Sequence, residues 1–138
     1  MTEQPRILVV DDDDEILGLT RTVLAGAGFR VTTASSGDEA LRVARSEGFD
    51  LALLDIQMPG MDGWETLRLM KADDALRGVE VVMFSVKAEF RDKIHGMQEG
   101  AVDYISKPFQ VDELLSRVRR ILERQGAGGP DRPTPVGR

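Results

Sequence analysis

Five short apolar runs punctuate the chain, and each gives way to a segment whose apolar residues recur every three or four positions. The runs are RILVV (6–10), FRVTTA (29–34), LALL (51–54), VEVVMF (79–84) and AVDYIS (101–106). Their length and β-branched content predict strands. ILVV and LALL are apolar throughout, which predicts central parallel strands buried on both faces. FRVTTA alternates, as an edge strand does.

The intervening segments predict helices. Ile16, Leu17, Thr20, Val23, Leu24 and Ala27 form one apolar stripe. SGDEALRVARSEG opens with Ser36 three residues before Glu39, a capping-box arrangement, and carries Ala40, Leu41 and Ala44 on one face. DGWETLRLMK repeats the device with Asp62 and Glu65, followed by Leu67 and Met70. FRDKIHGMQEG predicts a weaker helix, with a thin stripe of Phe90, Ile94 and Met97 and an internal Gly96. The fifth helix carries Val111, Leu114, Leu115, Val118, Ile121 and Leu122. Five strands alternating with five helices imply parallel βαβ units, hence an α/β sandwich. Residues 1–125 are expected to form one domain. From 126 to 138 the chain turns to Gly and Pro with no apolar period, which predicts a flexible tail or linker.

Composition narrows the function classes. No run approaches the roughly 20 apolar residues that span a membrane. The N-terminus lacks the basic stretch and apolar core of a signal peptide. A cytoplasmic protein without membrane contact is therefore expected. Cysteine is absent, which excludes disulfides, thiolate metal sites and cysteine nucleophiles. The formal net charge is −6; residues 126–138 contribute two Arg and one Asp, or +1, and leave −7 for the rest. So acidic a domain is expected to make no direct nucleic-acid contact and to favour cations and basic partner surfaces.

The residues that follow the apolar runs carry the chemistry. The first run ends in Asp11 and Asp12, the third in Asp55, the fourth in Ser85, and the fifth in Ser106 and Lys107. In open α/β sheets, ligands bind outside the carboxyl ends of the strands, where the strand order reverses. These polar endings therefore converge on one place. Asp11, Asp12 and Asp55 bring −3 and Lys107 returns +1, and the residual −2 matches one divalent cation. Oxygen donors select hard metals, so Mg²⁺ is expected rather than zinc or copper. A cation beside a lysine and a hydroxyl suits a phosphoryl group, with Asp55 as the nucleophile that accepts it.

ILVVDDD, LALLDIQMPGMDG, VVMFS and YISKPF together resemble the four signatures of the response-regulator receiver domain, the CheY-like family. The resemblance runs in order over about residues 5 to 124. It implies a flavodoxin-like three-layer (βα)5 sandwich with strand order 2-1-3-4-5. It implies that Asp55 is the phosphoacceptor, that Asp12 binds Mg²⁺ directly, and that Asp11 acts largely through water. The backbone carbonyl of Gln57 would complete the protein's share of the metal shell. Lys107 and Ser85 would contact phosphoryl oxygens, Tyr104 would act with Ser85 as the switch, and the Lys107–Pro108 bond would be cis. The implied partners are a sensor histidine kinase or phosphotransfer protein and a downstream effector or output domain. The readout would be a change in the surface formed by the fourth helix, fifth strand and fifth helix. On that surface Asp103 and Arg117 match positions through which DNA-binding members dimerise, with Val102 where a second acid is common.

Two departures bear on the site. Ser85 replaces the commoner Thr and keeps the hydroxyl. Val86 stands where Ala or Gly is usual and is expected to crowd the opening, which Gln57 and Lys87 also flank. Such a domain is a switch that promotes its own phosphotransfer and dephosphorylation, not an enzyme with a separate turnover substrate. Asp13 and Asp14 play no part in this chemistry; Asp13 suits the N-cap of the first helix, and Asp14 with Glu15 suits its positive end. An EF-hand fails because Ile16 occupies the required Gly position. A haloacid-dehalogenase-type phosphatase needs a D-x-D-x-[TV] box, which Asp11 and Asp13 fit and Glu15 breaks. The remaining alternative is a receiver-like interaction module that works without phosphorylation. His95 reads as a surface or packing residue rather than a catalyst, and Trp64 as packing of the third helix.

Overall fold

The computed structural model describes residues 4–86 and 90–125. The elements are β1 (Arg6–Val10), α1 (Asp14–Gly26), β2 (Arg30–Ala34), α2 (Gly37–Ser46), β3 (Leu51–Leu54), α3 (Gly63–Ala72), β4 (Glu80–Ser85), α4 (Phe90–Glu99), β5 (Asp103–Ser106) and α5 (Val111–Arg124). The five strands form one parallel sheet in the order β2-β1-β3-β4-β5. β2 lies at an edge, as its alternating pattern predicts. The predicted tail, 126–138, and Lys87 lie outside the described residues.

Strand periodicity divides the core in two, because successive side chains point to opposite faces. Leu8, Val10, Ala52, Leu54, Val81 and Met83 face one layer with α2 and α3. Ile7, Val9, Leu51, Leu53, Val82 and Phe84 face the other with α1 and α5. A strand buried on both sides has no room for alternation, which is why β1 and β3 read as continuous apolar runs. The register places Val10 beside Leu54 and Leu54 beside Met83, so the strand ends lie side by side.

Polar residues set the helix starts. The Asp13 carboxylate accepts from the Glu15 N–H at 2.9 Å and the Ile16 N–H at 3.4 Å, capping α1. Ser36 and Asp62 cap α2 and α3 by accepting from the N–H groups of Glu39 and Glu65. The return half of the α2 capping box is displaced by one residue. The Glu39 carboxylate accepts from the N–H and the hydroxyl of Ser35, at 2.8 and 3.0 Å, rather than from Ser36. Those bonds, the backbone one foremost, hold the Glu39 carboxyl below its usual range.

α4 departs from its predicted face. Ile94 and Met97 are 42% and 53% exposed, so these two residues of the stripe do not pack into the core, and the side chain of Phe90 lies outside the described residues. Gly96 faces inward instead; a Cβ there would lie 3.5 Å from atoms of Met83 and Trp64. A helix that presents glycine can lie close to its neighbours, and packing follows backbone approach here rather than side-chain hydrophobicity. His95 sits edge-on to Trp64 with ring centroids 4.3 Å apart, so both are packing residues.

Candidate functional site

β1 and β3 are adjacent, so their carboxyl ends bring Asp11, Asp12 and Asp55 together. One carboxylate oxygen from each lies within 4.8 Å of the others. Asp11 and Asp55 are buried and Asp12 is exposed. Lys107 follows β5 and reaches back across the sheet edge. Its Nζ lies 2.6 Å from Asp11 Oδ2 and 3.4 Å from Asp55 Oδ1. The Lys107–Pro108 bond is cis, as the resemblance implies. The backbone of this loop is joined to β4 by the Lys107 N–H, which donates to the Ser85 carbonyl at 3.0 Å.

The two buried carboxylates differ in how they are satisfied. Asp11 Oδ1 accepts from the Asp13 N–H at 3.0 Å and Oδ2 accepts from Lys107, so both of its oxygens are engaged. Asp55 is 4% exposed, and among the described residues its ion-pair partner is Lys107. Burial, followed by the neighbouring Asp11 charge, pushes the Asp55 carboxyl up to about 6 against the pull of Lys107. Three carboxylates and one ammonium thus form an oxygen-rich cluster with charge left over. Such a donor set suits a hard divalent cation.

Ser85 ends β4 and is buried. Tyr104, in β5, has its side chain buried in the layer with α2 and α3. Gln57 is exposed two residues beyond Asp55. Val86 is 62% exposed, so its side chain is free of the core beside Ser85. One residue of the site has no counterpart among those the sequence singles out. Lys107 Nζ stands over the Phe84 ring, 5.3 Å from its centroid, and Phe84 in turn packs against Phe109. In a linear sequence Phe84 is one more apolar strand residue, and nothing marks its ring as a neighbour of the lysine.

Arg117 and Asp103 do meet, but within the chain. Arg117 Nη1 lies 2.7 Å from Asp103 Oδ1 and donates to the Tyr104 carbonyl at 3.1 Å, while Nη2 lies 3.2 Å from Glu113. α5 follows β5 directly, so the arginine finds its acid on the adjacent strand without a second copy.

The family model of the response regulator receiver domain matches residues 7–119. The DNA-binding response regulator MtrA of Mycolicibacterium smegmatis is 42% identical over 123 residues, which cover 89% of this chain and 53% of that protein. The transcriptional regulatory protein PrrA of Mycobacterium leprae is also 42% identical over 123 residues, covering 89% of this chain and 52% of that protein. Among solved structures, a CheY-like response regulator receiver domain protein from Methanospirillum hungatei superposes with a TM-score of 0.83 at 35% identity. That match covers 92% of this chain and all of the other. The chain thus spans about half the length of the curated relatives it matches. These likenesses favour neither the phosphatase nor the phosphorylation-independent alternative.

They overturn one expectation. Acidic charge predicts no direct nucleic-acid contact, yet MtrA is a DNA-binding response regulator. Net charge describes only the surface of the stretch counted, and about half of that relative lies outside the stretch this chain matches. Among the described residues no helix is long and apolar enough to cross a membrane. Motif order, strand order and relatives agree, and the chain belongs to the response regulator receiver family of two-component signalling.

Proposed function

We propose that Asp55 accepts a phosphoryl group from the phosphohistidine of a sensor histidine kinase or phosphotransfer protein. The observation that carries this reading is the buried Asp55 carboxylate, 3.4 Å from the Lys107 ammonium and within 4.8 Å of the oxygens of Asp11 and Asp12. With its pKa at about 6, Asp55 is mostly ionised at neutral pH and available as a nucleophile. An Asp55 oxygen forms the new bond to phosphorus as the donor's P–N bond breaks and the imidazole leaves. Lys107 supplies positive charge to the phosphoryl oxygens, and the Ser85 hydroxyl donates to one of them.

Mg²⁺ fits the donor set, because hard carboxylate oxygens are gathered with surplus negative charge. Asp12, Asp55 and the Gln57 carbonyl would hold it directly, and Asp11, whose oxygens are already engaged, would act through water. When bound it supplies charge neutralisation and orientation for the transferring group. Asp55 then carries an acyl phosphate, which water cleaves at the same site. The domain works as a switch that limits its own lifetime, not as an enzyme with a separate turnover substrate. Gln57, Val86 and Lys87 tune access of water to the opening.

Ser85 and Tyr104 pass the change to the surface of α4, β5 and α5, biasing populations of two states. By likeness to MtrA and PrrA, the output of the whole protein is transcriptional control through a DNA-binding part. Residues 126–138 then serve as a linker, and the protein works in the cytoplasm, where ATP-dependent kinases make phosphohistidine. The test is incubation with acetyl phosphate and Mg²⁺, followed by intact-mass measurement. One phosphoryl group should appear on the wild type, and none after EDTA treatment or in Asp55→Asn. Modification that survives that substitution contradicts the reading.

A further inference from the structure

The lysine at this site depends on partners that its own chemistry removes. Lys107 Nζ is held by Asp11 Oδ2 at 2.6 Å and Asp55 Oδ1 at 3.4 Å. Both carboxylates belong to the cluster that would share a divalent cation. A phosphoryl group on Asp55 changes one of them further. Each event weakens the hold of a carboxylate on the ammonium, because the same oxygens then face a second positive charge or carry a substituent.

One partner of Lys107 is not altered by these events. The ammonium stands 5.3 Å from the centroid of the Phe84 ring, within the roughly 6 Å over which an aromatic face attracts a cation. Phe84 is fully buried, and its ring packs against Phe109 at a centroid distance of 5.6 Å and a tilt of 46°. The Lys107 side chain is itself only 11% exposed, so little water weakens the attraction. A leucine or valine would complete the same apolar layer, yet neither offers a π-face to a cation.

We propose that Phe84 is a positioning residue for Lys107, its ring face keeping the ammonium at the site while metal binding and phosphorylation change the charge around it. This rests on the reading of Asp55 and Lys107 as the phosphoryl-accepting pair. β4 then contributes two consecutive residues to one task, Phe84 through the lysine and Ser85 through its hydroxyl. Phe84 does not touch the phosphoryl group.

Two measurements test it. In the wild type, ring current from Phe84 shifts the Lys107 ε-methylene protons upfield of the position of a lysine in an unstructured peptide. That shift persists when Mg²⁺ and then beryllofluoride, a phosphoryl mimic, are added. Loss of the shift on adding Mg²⁺ overturns the proposal, and this arm requires only that the wild type be folded in each state. In the second arm, Phe84→Leu binds beryllofluoride about three- to tenfold more weakly at saturating Mg²⁺. Its Mg²⁺ affinity stays within about twofold of the wild type, and the beryllofluoride loss vanishes in a Lys107→Ala background. An equal loss in both backgrounds means that Phe84 acts by packing, and overturns the proposal while leaving the functional reading intact. A wild type that takes no beryllofluoride sinks the functional reading itself, and this inference with it.

Discussion

Asp55 is held in its charged form against its surroundings. Its pKa rises from 3.8 to about 6, first through burial and then through the charge of Asp11. Between those values the folded protein keeps a proton that the unfolded chain has released. Stability therefore falls as pH rises through this window, and the penalty is complete above about pH 6. A shift of that size corresponds to at most about 3 kcal/mol. Asp55→Asn removes the charge, so in EDTA at pH 7.5 it should melt several degrees above the wild type, with a gain of about 1–3 kcal/mol. The gap should close toward pH 4, and equal melting temperatures at pH 7.5 would contradict the account. Added Mg²⁺ should narrow the gap, because it stabilises the wild type more.

Val86 makes the next residue-scale prediction. Its side chain is 62% exposed beside Ser85, so it can screen the opening without supporting the core. Val86→Ala should leave the melting temperature within about 1 kcal/mol of the wild type. It should also shorten the lifetime of the phosphorylated form several-fold, as followed by loss of the phosphoryl group after donor removal. An unchanged lifetime removes Val86 from the site.

At the scale of elements, the row of four aspartates divides between a strand end and a helix start. Asp13→Ala removes the α1 cap and should cost about 1 kcal/mol of stability with Mg²⁺ affinity retained. Asp12→Ala should do the reverse, weakening Mg²⁺ binding at least tenfold with little loss of stability; calorimetric titration and thermal melts separate the two. That division was legible in the sequence because N-caps and strand ends are local features. The contact at the start of α3 was not. The Gly63 N–H donates to the Ile56 carbonyl at 2.8 Å, and a Cβ at Gly63 would clash with the Asp55 carbonyl oxygen. Gly63→Ala must therefore push the segment from Asp55 to Gln57 outward. About 1–3 kcal/mol of stability and most of the Mg²⁺ affinity should be lost together. Unchanged metal binding in a folded Gly63→Ala protein would show that the segment can yield harmlessly. α4 misled for a related reason, since Gly96 rather than Ile94 and Met97 meets the neighbouring elements. Apolar periodicity does not report how closely two backbones approach.

For the whole molecule, two facing apolar layers bring three strand ends and a distant lysine to one edge. The order of strands and helices was readable because ILVV and LALL are apolar at every position, while FRVTTA is not. The convergence of Asp11, Asp55 and Lys107 followed from that order. Other features depend on space alone. Phe84 reads as core until Lys107 is placed above it, and Arg117 finds Asp103 within its own chain. The association of relatives with DNA lay beyond any count of charges in this chain. The opposite edge is closed by Gln125, whose side-chain amide donates to the Asp50 carbonyl at 2.9 Å, so α5 ends away from the acidic cluster.

The central claim is that this arrangement serves one carboxylate. Phosphotransfer from an autophosphorylated histidine kinase domain in the presence of Mg²⁺, followed by borohydride reduction, tests it most directly. Reduction of an aspartyl phosphate leaves homoserine at the modified position, which peptide mass analysis locates. The account predicts homoserine at position 55 alone, and none when Mg²⁺ is withheld. Homoserine at Asp11, Asp12 or any other aspartate, with Asp55 intact, would contradict it.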